Sequence, residues 1–232
     1  MDISTMDEAV DFIEHKVISG GFTQHVVVNV AKLVNMQKDP VLAESVKACD
    51  IINIDGMGVA WGARFCGHDV PERVAGVDLF HNLLAMSAKR ELPVFLLGGT
   101  QAVVEKTAEV VEGLYSGLKI AGYNHGYFWD DEQAVVNAIR ESGAKLLFVA
   151  ITSPNKENFI NKWQDQLGVN FVMGVGGTFD VVAGKVKRAP LWMQRSGLEW
   201  FYRVLQEPGR MWKRYLLTNS KFSWLLMKEK FS

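Results

Sequence analysis

Six short, almost uninterrupted apolar runs constrain the fold more than any other feature: "HVVVNV" (25–30), "IINID" (51–55), "VFLLGG" (94–99), "KIAGY" (119–123), "KLLFVAI" (145–151) and "VNFVMGVG" (169–176). A sheet with one wet face alternates apolar and polar residues. Runs that are apolar at nearly every position need cover on both faces. The segments between them supply it. "DEQAVVNAIRESG" (131–143) carries apolar residues at helical spacing, behind an acidic first turn and ahead of a stopping glycine, and "TQAVVEKTAEVVEGLYSG" (100–117) does the same. Strand–helix alternation predicts a mostly parallel α/β sheet with helices on both faces.

The chain has 232 residues, 48% of them hydrophobic, enough for one sizeable core or one core with an appendage. Cys49 and Cys66 lack metal-ligand spacing and suit a reduced, cytoplasmic protein. The opening "MDISTMDEAVDFIEHKV" is too acidic for a signal peptide, and no apolar run reaches the roughly 18 to 20 residues of a membrane span. A near-neutral total hides an asymmetry. Residues 185–232 hold 11 Lys/Arg against 3 Asp/Glu, and the first 184 residues hold 14 against 23. Four of the seven tryptophans (Trp192, Trp200, Trp212, Trp224) fall in the basic stretch. The expected division is therefore an α/β core over 1–184 and a basic appendage over 185–232. Its charge points to an acidic partner: nucleic acid, an anionic membrane or a diphosphate.

Open α/β sheets bind ligands beyond the carboxyl ends of their strands. Those ends are polar or glycine-rich here: Asn29, "DGMG" (55–58), "GGT" (98–100), "GYNHGYF" (122–128), "TSPNKE" (152–157) and "GVGGTFD" (174–180). The glycine turns bring bare backbone N–H groups toward a phosphate or simply turn the chain tightly. Neither is GxGxxG, which disfavours a nicotinamide-dependent oxidoreductase. Asp55 reads as a general base at a strand end or as the N-cap of the following helix. Arg73 reads as a diphosphate clamp, a surface residue or a partner of Glu72. The adjacent acids of "WDDE" (129–132) suit a helix N-terminus, and the five histidines are scattered. No metal site and no cofactor are expected. The basic tail has no nucleic-acid-binding motif to accompany it, so nucleic acid is not an expected partner.

Together, "DGMGVAWGAR", "PERVAGVDL", "FLLGGT", "GVGGTFDVVAGKVKRAP" and "GLEWFYRVLQEPGRMWKRY" resemble the WecG/TagA/CpsF glycosyltransferase family, with the likeness running from about "VVVNVAKLV" to "WKRY". The resemblance implies a Rossmann-like core with a C-terminal appendage. It implies an inverting, metal-independent transfer of a sugar from a UDP-linked donor to a polyprenyl-diphosphate-linked sugar. The work would be done peripherally on the cytoplasmic face of the membrane, in cell-surface or exopolysaccharide synthesis. On that resemblance Asp55 is the catalytic base and Arg73 meets a diphosphate. Asn29, Tyr127 and Asp180 fall in motifs of the donor site, and Arg203, Arg210 and Arg214 of the appendage close over the nucleotide diphosphate. Two positions depart from the family pattern. Val27 replaces the threonine of Thr-x-Asn, and Lys156 replaces the glutamine of Pro-x-Gln-Glu. Both exchanges point away from the family's N-acetylmannosamine donors toward a UDP-hexose such as glucose. A non-catalytic nucleotide-binding module on the same fold is the rival reading.

The tail itself predicts two helices split at Pro208–Gly209. In the second, Arg210, Arg214, Lys221 and Lys228 share one face, with Trp212, Tyr215, Leu216, Phe222 and Leu226 on the other side, the pattern of an interfacial helix at an anionic membrane.

Overall fold

The computed structural model describes residues 5–231, apart from the side chain of Arg210. Its strands are β1 (Thr23–Val28), β2 (Ile51–Ile54), β3 (Val94–Gly98), β4 (Ile120–Asn124), β5 (Leu146–Ala150) and β6 (Phe171–Gly174). The helices of the first half are α1 (Met6–Ser19), α2 (Val30–Met36), α3 (Pro40–Lys47), α4 (Met57–Phe65), α5 (Gly76–Arg90) and α6 (Gln101–Leu114). They continue with α7 (Glu132–Glu141), α8 (Asn155–Trp163), α9 (Thr178–Val182), α10 (Leu191–Arg195), α11 (Glu199–Gln206) and α12 (Pro208–Phe231). All six predicted strands form, and every neighbouring pair runs parallel in the order β2-β1-β6-β5-β3-β4.

The two faces follow from the two-residue period of a strand. Leu96, Leu146, Phe148, Phe171 and Met173 point to one side, where they pack with α1, α5 and α6. Their neighbours Phe95, Leu97, Leu147, Val149 and Val172 point to the other, against α7 and α8, while Val26 and Val28 meet α3. Interior strands β3, β5 and β6 are therefore apolar at nearly every position, while interior β1 buries Thr23, Gln24 and His25 ahead of its three valines. Edge strand β4, which is only partly buried, carries Gly122, Tyr123 and Asn124. Phe80 of α5 packs edge-on against Phe148 with ring centroids 4.8 Å apart, and both rings are fully buried.

Helix starts are fixed by side chains that accept orphan backbone N–H groups. Thr5 and Glu8 form a reciprocal capping box on α1, while Asn29, Asp39, Thr100 and Asp131 cap α2, α3, α6 and α7. The acids of 129–132 thus serve a helix start: Asp131 is the cap, and Glu132 accepts hydrogen bonds from Lys162 Nζ and Trp163 Nε1.

The basic tail forms α10, α11 and α12, with the break between α11 and α12 at Glu207–Pro208. Arg188 ties the tail to α5 through Asp78, and Met193 and Met211 are buried. Helix α12 lies against α2, α4 and α11.

Candidate active site

A cavity of about 690 Å³ opens at the carboxyl ends of β1 and β2, with α11 and α12 as its roof. Its floor is made where two strands turn into helices. Leaving β1, Asn29 caps α2, its Oδ1 accepting from the Lys32 amide at 3.0 Å. Leaving β2, Asp55 donates its amide to the Val28 carbonyl at 2.9 Å, which fixes the turn beside β1. The cap of α4 is Gly56, at φ 102°, and no side chain bonds to the start of that helix. The capping alternative for Asp55 is thereby removed, and its carboxyl faces the cavity. Burial raises the Asp55 pKa; Arg73 pulls it back, Glu199 pushes it up further, and Arg203 and Lys32 pull it down. A carboxylate held at raised basicity beside cations has the character of a general base.

Arg73, in the loop before α5, donates from Nη1 to Glu199 Oε2 at 3.0 Å across 126 residues of sequence. It does not pair with Glu72, whose Oε2 accepts from the Met6 amide. Arg203 of α11 and Arg214 of α12 also line the cavity. The side chain of Arg210 lies outside the described residues. A fourth lining arginine, Arg188, was not singled out by sequence reasoning. It grips Asp78 through both Nη atoms at 2.5 and 2.7 Å, and its buried Nε has no partner among the described residues. Against burial, which acts upward, the hydrogen bonds from Arg188 hold the Asp78 carboxyl below its usual range. The only available signal for Arg188 was its place in "KVKRAP", four residues beyond the "GVGGTFD" turn. Four guanidinium groups against Asp55 and Glu199 leave the cavity cationic, which suits a diphosphate.

Three residues named from sequence stand away from this cavity. Tyr127, 71% exposed, follows β4 at the opposite edge of the sheet. Asp180 of α9 pairs with Lys185 at 3.1 Å. Lys156 is buried beneath the strands, its Nζ 3.2 Å from Glu157 Oε1, which also receives Lys32 Nζ at 2.8 Å. Burial, and then the neighbouring Lys32, brings the Lys156 pKa down to about 8 despite Glu157. Its stem crosses Gly174, where a Cβ would come within 2.4 Å of Lys156 Cε. Val27 is likewise not part of the cavity lining. The "GGT" turn acts structurally: a Cβ at Gly98 would stand 2.4 Å from the Ala150 carbonyl oxygen, and Thr100 caps α6.

The roof is held by close approach. A Cβ at Gly62 of α4 would stand 2.8 Å from Phe222 Cζ and 2.9 Å from Leu226 Cδ2, so a larger residue there would push these two side chains aside. The apolar residues predicted to share one side of α12 divide into two sets. Tyr215, Phe222 and Leu226 face the cavity, whereas Trp212 (54% exposed) and Leu216 (59%) face outward with Trp224 and Met227. The division has a geometric cause: at roughly 100° per residue the apolar stripe is wider than one neighbour can cover. Arg214, Lys221 and Lys228 run along the flank between the two sets. Among the described residues no helix is long and apolar enough to cross a membrane, and no three His, Cys, Asp or Glu side chains are placed to hold a metal ion.

A model of the "Glycosyl transferase WecG/TagA/CpsF family" matches residues 1–232. Two relatives are each named N-acetylglucosaminyldiphosphoundecaprenol N-acetyl-beta-D-mannosaminyltransferase. The one from Bacillus subtilis (strain 168) is 35% identical over 83% of this chain and 74% of its own length. The one from Bacillus spizizenii (strain ATCC 23059 / NRRL B-14472 / W23) is 39% identical over 73% of this chain and 65% of its own length. The matched region thus spans about two thirds to three quarters of these relatives. By the match along its whole length and by these relatives, the chain belongs to the WecG/TagA/CpsF family of glycosyltransferases.

Proposed function

We propose that this glycosyltransferase moves a sugar from a UDP-linked donor to a sugar carried on a polyprenyl diphosphate, with inversion and without a metal ion. The observation that carries the reading is the meeting of Asp55 with four arginines in one cavity at the strand ends. The acceptor hydroxyl attacks the anomeric carbon while Asp55 takes its proton. The bond from that carbon to the UDP oxygen breaks, and its electron pair leaves on the diphosphate. Arg73, Arg188, Arg203 and Arg214 meet the charge that develops there, which is the work a divalent cation does elsewhere. The rival binding-module reading loses its main support, since Asp55 caps no helix.

N-acetylmannosamine, the sugar in the relatives' names, is the first donor to test. UDP-glucose is the second, favoured by the cation Lys156 where the family pattern has an amide. That residue is buried outside the cavity lining, so its influence on the donor would be indirect. The outward aromatic face of α12 and its cationic flank support peripheral attachment at an anionic bilayer, where a polyprenyl-linked acceptor must reside. Incubation with a panel of UDP-sugars and a synthetic polyprenyl-diphosphate-linked sugar, read by mass spectrometry, tests the reading. Transfer from no donor in the panel would overturn it.

A further inference from the structure

A second, smaller cavity of about 240 Å³ lies between α2 and α12. It is lined by Val34, Asn35 and Lys38 on one side and by Arg214, Leu217, Thr218 and Lys221 on the other. Three of these residues are cations, and among the described residues no carboxylate lines the groove. The nearest acid in sequence, Asp39, is committed to the start of α3, accepting from the Leu42 amide at 3.0 Å. Lys38 and Lys221 face one another so closely that Lys38, as a hydrogen-bonding neighbour and then as a like charge, holds the Lys221 ammonium below its usual range. Two ammonium groups and a guanidinium lining one groove that no described carboxylate lines form an arrangement that attracts an anion.

The geometry points to a phosphate-binding seat in this groove, formed by Lys38, Lys221 and Arg214, for a phosphate carried on a lipid. Two features favour a lipid over a free anion. Leu217, half exposed, lines the groove beside the cations and continues into the outward apolar face through Trp224, so hydrocarbon attached to the phosphate has a surface to lie on. Arg214 and Thr218 line this groove and the large cavity alike, so a lipid phosphate seated here is next to the reacting groups. The seat deepens the proposed function, on which it rests for the presence of a lipid-linked acceptor. The same chemistry is offered by the acceptor's own diphosphate and by an anionic phospholipid headgroup.

The test is calorimetric titration of the full chain with UDP at saturation, so that the large cavity is filled. Geranyl diphosphate represents the acceptor, dihexanoylphosphatidylglycerol below its micellar concentration represents the phospholipid, and inorganic diphosphate is the free anion. The wild type is expected to bind at least one of the two lipids, and whichever binds identifies the source. In Lys38→Gln/Lys221→Gln that affinity should fall about thirtyfold, roughly fivefold per cation, with UDP binding unchanged. Lys213→Gln/Lys230→Gln, which removes two cations of α12 outside the groove, should leave it within about twofold. If neither lipid binds, if inorganic diphosphate binds as tightly as the lipid, or if both double variants weaken binding equally, the seat is refuted. Failure of UDP itself to bind would instead count against the function proposed above.

Discussion

Glu199 occupies Arg73 before any donor arrives, and removing that carboxylate should tighten nucleotide binding. The pair is held at 3.0 Å, with the two side chains only 14% and 20% exposed. An ion pair in open solvent contributes about 0–1 kcal/mol, whereas a hydrogen bond to a charged group under partial cover contributes about 1.5–3 kcal/mol. A diphosphate that recruits Arg73 must break the bond, with water returning part of the loss. The net cost is then about 1–2 kcal/mol, or roughly five- to thirtyfold in affinity. Glu199→Gln keeps the shape of the side chain and removes its charge, so UDP should bind tighter by that factor in a calorimetric titration. A second consequence separates the effect from mere loosening of α11. Glu199 adds to the upward shift of Asp55, so without its charge the Asp55 pKa falls. The acid limb of the kcat/KM profile should therefore move to lower pH. Unchanged or weaker UDP binding, together with an acid limb that stays in place, would refute the reasoning.

Asp55→Asn should lower turnover by about 10² or more while the protein remains folded. Because the folded pKa of Asp55 is raised, its ionised form costs stability at neutral pH, so the Asn variant should melt at the same or a higher temperature. Deleting residues 209–232 should abolish sedimentation with anionic liposomes and sharply reduce transfer to lipid-linked acceptor; a truncated protein that still sediments and turns over normally would show that the tail only packs. Lys156, lowered to about 8, binds fewer protons when folded than when unfolded between about pH 8 and its ordinary value near 10.4. Stability from this group should therefore rise with pH across that window, and thermal unfolding of Lys156→Gln should lose that rise.

The parts of this molecule legible from sequence are those encoded locally. Strands β3, β5 and β6 could be read because a strand covered on both faces is apolar at successive positions. Asn29 and Asp55 could be placed at the cavity because they stand where β1 and β2 end, and a parallel sheet puts all such ends on one edge. Reading failed where a residue's environment is set by a distant part of the chain. Arg73 meets Glu199 across 126 residues and Arg188 meets Asp78 across 110, so neither pairing has a local signature. Tyr127 shares the strand-end rule with Asp55 yet sits at the far edge, because strand order separates β4 from β2 by the width of the sheet.

Lys156 shows the same limit for charge. Its place in "PNKE" suggested a cation offered to a substrate, but the side chain turns under the sheet, across a glycine, to a carboxylate already held by Lys32. Helix α12 shows it for shape. The 3.6-residue period predicts an apolar stripe, but the stripe alone cannot say which part is covered. Contacts made elsewhere in the chain settle that: Phe222 and Leu226 lie against Gly62 of α4, Tyr215 lies against Trp200 of α11, and Trp212 and Leu216 are left outside. A helix 160 residues upstream of Phe222 thus covers the part of α12 that closes the cavity, and the remaining face is left for the bilayer. The two roles proposed for the tail therefore fall on different faces of one helix, and a substitution can test either without touching the other.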